Sequence, residues 1–207
     1  MTDMHIPDGY LDPLTCAVTY IVSLVVGFYA FRKSKTAPEE AKTLLPVLAA
    51  AIFAAQMLNW PIPGGTSLHL VGGALASILL GPWLAYLSMA LVLVTQALIF
   101  HDGGITTLGA NILNMGIVAV FSGYLVYKAF PEKYKVLGSF VAGWLSITLA
   151  GVVCGIELGL SSSFIYGLAV TVPVMGGWHA LLGVIEGVIT AGVYSYLRLR
   201  HPELIKG

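Results

Sequence analysis

Long stretches without charge dominate the chain. Runs lacking Asp, Glu, Lys and Arg cover 13–31, 43–101, 103–127, 136–156 and 158–185, and the last continues past a single Glu186 to Leu197. A membrane-spanning helix needs about 20 largely apolar residues, with a range of roughly 17–25. The run 43–101 is too long for one helix and carries its own breaks. Asn59-Trp60-Pro61-Ile62-Pro63-Gly64-Gly65 cannot be continuous helix, because proline removes N–H donors and glycine favours turns. Gly81-Pro82 interrupts it again. The pattern predicts seven helices over 13–32, 41–58, 66–80, 83–101, 107–129, 136–157 and 172–198. The third is the weakest: at about 1.5 Å per residue it reaches only ~22 Å, short of a ~30 Å hydrocarbon core.

Composition narrows the class. Of 207 residues, 57% are hydrophobic and 10% charged, and the mean hydropathy is +0.88. A soluble domain carries about 25% charged residues, so the chain cannot cover a water-facing surface. A soluble enzyme, a nucleic-acid binder and a disordered chain are excluded, and the expectation is an all-α polytopic membrane protein with a single domain over 1–207. Ten basic and ten acidic residues cancel. Cys16 and Cys154 sit in apolar runs and form no metal or redox motif.

The placement of charge tests the helix count. Arg32, Lys33, Lys35 and Lys42 fall between predicted helices one and two; Lys128, Lys133 and Lys135 between five and six; Arg198, Arg200 and Lys206 after seven. Seven crossings put all ten on one side, the cytoplasm by the positive-inside rule. One crossing fewer between Lys42 and Lys128 would divide them. The N-terminus is then outside, with 1–12 an outer segment, and the C-terminus is cytoplasmic. Met1 to Tyr10 lacks the basic and apolar regions of a signal peptide. Gly151-x-x-x-Gly155, Gly183-x-x-x-Gly187 and Ala50-x-x-x-Ala54 put small residues on single helix faces, where helices can approach closely.

Motor and hydrolase signatures are missing: there is no G-x-x-x-x-G-K-[ST], H-E-x-x-H or G-x-S-x-G. The histidines are informative by side. His5, His69, His101 and His179 map to the predicted outer half, and only His201 to the cytoplasm. The outer acids Asp3, Asp8, Asp12, Asp102 and Glu157 are balanced there by no Lys or Arg. That face attracts cations and offers imidazole, a ligand suited to Zn, Cu, Fe and Ni. For His101 and His201 an ordinary solvated role is the better reading. A chain beginning Met4-His5 offers a terminal amine, the His5 amide nitrogen and the imidazole Nδ1, closing a five- and then a six-membered chelate ring. One more imidazole, such as His69, completes four nitrogens in a plane, which suits Ni(II) or Cu(II) where Zn(II) prefers a tetrahedron. Spacing alone also allows His5 and His69 to be unrelated.

Met4-His5-Ile6-Pro7-Asp8-Gly9-Tyr10-Leu11 resembles the N-terminus of the NikM/CbiM family, the substrate-binding S components of energy-coupling-factor (ECF) transporters for nickel and cobalt. Further matches follow in order. They are Pro63-Gly64-Gly65-Thr66-Ser67 leading to His69, Leu80-Gly81-Pro82-Trp83, and Gln96-Ala97-Leu98 running into Asp102-Gly103-Gly104. Gly109-Ala110-Asn111-x-x-Asn114-Met115-Gly116 and His179-Ala180-Leu181-x-Gly183-x-x-Glu186 complete the set. The resemblance covers residues 4 to about 197. It implies a seven-helix S component whose N-terminus dips into an outward-facing pocket. The implied metal ligands are Met4, through its terminal amine, His5 and His69. Thr66, Ser67, Asn111 and Asn114 are candidates to support them.

Two departures matter. Three residues precede Met4, and an acylated Met4 nitrogen is no longer an amine, so the functional chain is expected to begin at Met4. His101 stands where glutamine is expected in close relatives, which leaves it as a fifth or transient ligand. His179 and Glu186 are two helical turns apart and share a face. Ionisable residues inside a membrane are functional by default; here a supporting role, or a buried pair fixing helix packing, is favoured.

The expected function is ATP-driven nickel uptake, with cobalt second, at the plasma membrane of a prokaryote. Expected partners are a transmembrane coupling subunit docking on Ala50 and Ala54, ATPase subunits and a small accessory membrane subunit. No organic cofactor and no nucleic acid is expected. The alternatives are a stand-alone secondary transporter, which usually shows internal repeats and several buried charges, and an intramembrane metalloenzyme.

Overall fold

The computed structural model describes residues 5–62 and 66–205. Helix α1 spans Pro13–Ser34, started by Asp12, whose carboxylate accepts from the Leu14 and Thr15 amides at 3.0 Å, with Pro13 in the first turn. Helix α2 spans Glu39–Gln56, with Glu39 and Glu40 at its positive end. Helices α4 (Pro82–Phe100), α5 (Leu108–Ala129), α6 (Lys135–Leu160) and α7 (Leu168–Arg200) follow the predicted segments closely. The largest shift is at α7, which starts four residues before its predicted 172. Helix α4 ends in a π-helical turn over Gln96–Phe100, and α5 contains a π-helical stretch over Leu113–Ala119.

The third predicted helix is wrong in its first half. Residues Thr66–His69 form strand β2, paired antiparallel with β1 (Asn59–Ile62) in the register Asn59↔His69. Helix α3 covers only Gly73–Leu80. The hairpin satisfies the backbone of a segment rich in proline and glycine, and Gly72, at φ 79°, supplies a left-handed start that delays the helix.

Helix α1 turns its apolar side chains outward, the reverse of a helix on a water-soluble fold. The buried residues of α1 are Thr19, Ser23 and Ala30, whereas Leu14, Ile21, Leu24, Phe28 and Phe31 are exposed. Ser23 donates to the Gly109 carbonyl at 2.8 Å, and Tyr86 donates to the Ser23 carbonyl at 2.5 Å. Apolar surface turned outward and hydrogen-bonded polar groups turned inward are what a hydrocarbon solvent demands. Among the described residues five helices, α1 and α4 to α7, are long and apolar enough to cross a membrane. Helices α6 and α7 pack on their glycines: a Cβ at Gly183 or Gly187 would lie 2.8 Å from the carbonyl oxygen of Trp144 or Phe140. The small-residue faces are therefore internal packing here, while Ala50 and Ala54 are exposed on α2.

Candidate metal centre

The N-terminal segment is strapped across one end of the bundle. Ile6 donates its N–H to Asn111 Oδ1 at 3.1 Å. Its carbonyl accepts from the Gly104 amide at 3.0 Å, Thr107 Oγ1 at 2.5 Å and Asn111 Nδ2 at 3.2 Å. The Asp8 carboxylate accepts from the Ile105 amide at 3.2 Å, and from the amide and hydroxyl of Thr106 at 2.7 and 2.5 Å. Those bonds hold the Asp8 pKa below its ordinary value, the Thr106 hydroxyl contributing most. Asp12 donates its amide to Ser161 Oγ at 2.9 Å, tying the strap to the end of α6.

Glycines 103 and 104 make the seat. Gly103 sits at φ 86°, and a Cβ there would lie 2.8 Å from His5 Cβ; a Cβ at Gly104 would overlap the Asp8 backbone and carboxylate. The strap can lie this close only because no side chain intervenes.

This seat delivers His5 beside His69. Both are more than nine-tenths buried, with ring centroids 4.9 Å apart and planes tilted by 52°. His69, at the end of β2, contacts the Leu70 carbonyl through Nδ1 at 2.8 Å, which assigns the proton to Nδ1 and the lone pair to Nε2. Burial first, and the His5 imidazole second, push the His69 pKa down to about 3. The ring is then neutral at physiological pH, the form that binds metal. His5 Nδ1 lies 3.2 Å from Asp102 Oδ2, within electrostatic contact but outside hydrogen-bond alignment. His5 Nε2 is buried with no hydrogen-bond partner among the described residues.

Met4 and the side chains of Thr66 and Ser67 lie outside the described residues. His101 is exposed, in a left-handed conformation after α4. Asn111 holds the strap, whereas Asn114 donates to Glu157 at 2.7 Å. His179 and Glu186 each bond elsewhere: His179 Nδ1 contacts the Met175 carbonyl at 2.7 Å, and Glu186 accepts from the Val71 and Gly72 amides, both at 2.8 Å. The sequence reading takes Asp102 only as one of the outer acids and part of a family motif, takes Gln96 only as part of that motif, and gives no role to Gln56. Two amides in apolar helices and an acid between His101 and two glycines were the available signals. Among the described residues, no group of three His, Cys, Asp or Glu is arranged to hold a metal ion.

The family described as "Cobalt uptake substrate-specific transmembrane region", CbiM, matches residues 5–204. The chain belongs to the CbiM family. CbiM membership makes it a multi-pass transmembrane component of transition-metal uptake and not an enzyme. It is 57% identical to a putative fused nickel transport protein NikMN of Archaeoglobus fulgidus, over 98% of this chain and 68% of that protein. A cobalt transport protein CbiM of Acetoanaerobium sticklandii is 34% identical over 94% of this chain and 84% of its own length. The crystal structure of a truncated transition metal transporter superposes with a TM-score of 0.89 at 40% identity, covering 96% of this chain and 100% of that one.

Proposed function

We propose that this chain is the substrate-binding component of an ECF-type, ATP-driven uptake transporter for Ni(II), with Co(II) as the second choice. The supporting observation is the pair of buried imidazoles at one end of the bundle, His5 and His69, 4.9 Å apart. Two imidazoles are half of a four-nitrogen plane. The Met4 amine and the His5 amide nitrogen supply the other half, so the set fits Ni(II) better than Zn(II). Chelation by His5 uses Nδ1, the nitrogen that faces Asp102. The metal therefore replaces that contact, and the Asp102 charge stands beside a dication, favouring it.

In this reading the strap, hairpin and site face outward and the basic ends face the cytoplasm, through seven crossings. The third crossing is made by the extended chain after His69 and the short α3. Relatives carrying nickel and cobalt transport in their names support the choice of cargo. The chain has no nucleotide-binding motif, so energy comes from separate ATPase subunits. They act through a transmembrane coupling subunit docked on the exposed Ala50 and Ala54 ridge, with a small accessory membrane subunit completing the assembly.

The test is nickel binding by the purified chain started at Met4. Bound Ni(II) should be yellow and diamagnetic and should outcompete Co(II). Inserting one alanine between Met4 and His5, or substituting His5→Ala or His69→Ala, should abolish tight binding, while His201→Ala should leave it unchanged. A chain verified by mass to retain Met1-Thr2-Asp3 should bind more weakly, with a different pH profile. Equal affinity and an equal profile would remove the amine from the ligand set, and retention of Zn(II) as the tightest metal would refute the planar site.

A further inference from the structure

Val71 and Gly72 join the His69 hairpin to α3, and their backbone is held by side chains from two separate helices, α7 and α2, with a third side chain on α4 bonded to the one on α2. The Val71 and Gly72 amides donate to the two carboxylate oxygens of Glu186 on α7, each at 2.8 Å. The Val71 carbonyl accepts from Gln56 Nε2, at the last residue of α2, at 2.8 Å. Gln56 Oε1 in turn accepts from Gln96 Nε2 on α4 at 3.0 Å. Glu186 is 2% exposed and both glutamines 0%.

Burying a carboxylate and two amides in a membrane protein is costly unless each is hydrogen-bonded, and an ordinary hairpin-to-helix joint needs none of them. The Glu186 carboxyl group also sits at the start of α3, where it accepts from the amide of Gly72, the residue that caps the helix. Gly72 sits at φ 79°, and a Cβ there would press on Ile52 at 3.1 Å, so a side chain is disfavoured at the joint. His69 lies two residues before Val71, and its Nδ1 is pinned by the Leu70 carbonyl at 2.8 Å. The direction of its free nitrogen therefore follows the backbone at 70–72.

We propose that Glu186, Gln56 and Gln96 form a clamp that positions His69 for the incoming metal ion and ties that position to α2, α4 and α7. The proposal rests on the reading of His69 as a ligand. Glu186 is a positioning residue and does not touch the metal. The strap carrying His5 hangs from different supports, namely Asn111, Thr107 and Gly104. A bound ion thus bridges two separately suspended segments. Movement of α2 or α7 against α5 draws His69 away from His5, which is a mechanical route to release.

The test uses the full chain in lipid nanodiscs, with Ni(II) as the probe and His69→Ala as reference. Gln56→Leu and Glu186→Gln each remove part of the clamp. Both should weaken Ni(II) binding by ~10–100-fold, the usual effect of losing a group that orients a ligand. They should speed Ni(II) loss to a chelator and shift the visible band of the bound ion, in protein whose helical circular dichroism before metal is added matches that of the unsubstituted chain. Wild-type affinity, dissociation rate and spectrum in the folded variants, with His69→Ala inactive, would overturn the clamp alone. Undiminished binding in His69→Ala would overturn the ligand assignment and the clamp with it. Hydrogen exchange on the unsubstituted protein gives a measurement independent of variant folding. Because coupling is reciprocal, Ni(II) should slow exchange at the Val71 and Gly72 amides, and no change there would equally refute the proposal.

Discussion

At the scale of single residues, the site depends on what is left out as much as on what is present. A methyl group at Gly104 has no room beside Asp8, so Gly104→Ala should lift the strap and carry His5 away from His69. Titration calorimetry should show Ni(II) affinity falling by at least ~10-fold, the lower bound for disturbing a ligand's support. Asp8 gives the corresponding pH dependence. Its folded pKa is lowered from 3.8, chiefly by the Thr106 hydroxyl. A carboxylate favoured by folding holds the strap fully above 3.8 and loses that contribution only as pH falls through the lower folded midpoint. Carbon NMR of the Asp8 carboxyl should therefore show a midpoint below 3.8, returning toward it in Thr106→Val. His5 and His69 were visible in the sequence because their residue types carry the chemistry. Asp102 was visible only as one acid among several, because its 3.2 Å approach to His5 is made by a loop closing over the strap.

At the scale of elements, the long helices were legible and the short third one was not. Apolar length fixes a membrane helix, since every backbone group must be satisfied within it. Residues 66–72 satisfy theirs through a hairpin and through Glu186 and Gln56, and no local pattern announces partners that lie 15 and 115 residues away. The contact of α6 with α7 gives a further expectation. Gly183→Leu must displace the Trp144 carbonyl, 2.8 Å from its Cβ position, whereas a Cβ at Gly192 meets nothing within 4 Å. Overpacking at such a site costs ~1–3 kcal/mol, and Gly→Ala in an open helix interior gains roughly 0.5–1 kcal/mol. Thermal melts in detergent should show Gly183→Leu lowering the midpoint and Gly192→Ala holding or raising it.

For the whole molecule, the expectation concerns orientation. The strap, the hairpin and the α4–α5 loop gather at one end, joined by the contacts of His5, Ile6 and Asp8. Arg198 meets Glu132 at 3.8 Å at another place, where the α5–α6 connection joins the end of α7. Single cysteines at Lys35 and Ile105, in a chain lacking Cys16 and Cys154, should report this in intact cells. Ile105 is chosen because it is 55% exposed, whereas any side chain at Gly103 would strike His5. An impermeant thiol reagent should label position 105 and spare 35; labelling of 35 alone, or of both, would invert or break the seven-crossing topology.

The sequence by itself determined the solvent, the helical class and the residue types of the candidate metal site. Each of these follows from composition and local spacing: too few charges for water, apolar runs of bilayer length, and a Met-His pair able to chelate. Only the tertiary structure decided that 66–72 is extended, that His179 and Glu186 bond to different partners, and that the two imidazoles meet. It also decided that a carboxylate on α7 and an amide on α2 hold the chain just past His69. The reason is physical. Periodicity and length act through neighbours along the chain, but a buried polar group is satisfied by whichever donor or acceptor the packing of separate helices brings within about 3 Å.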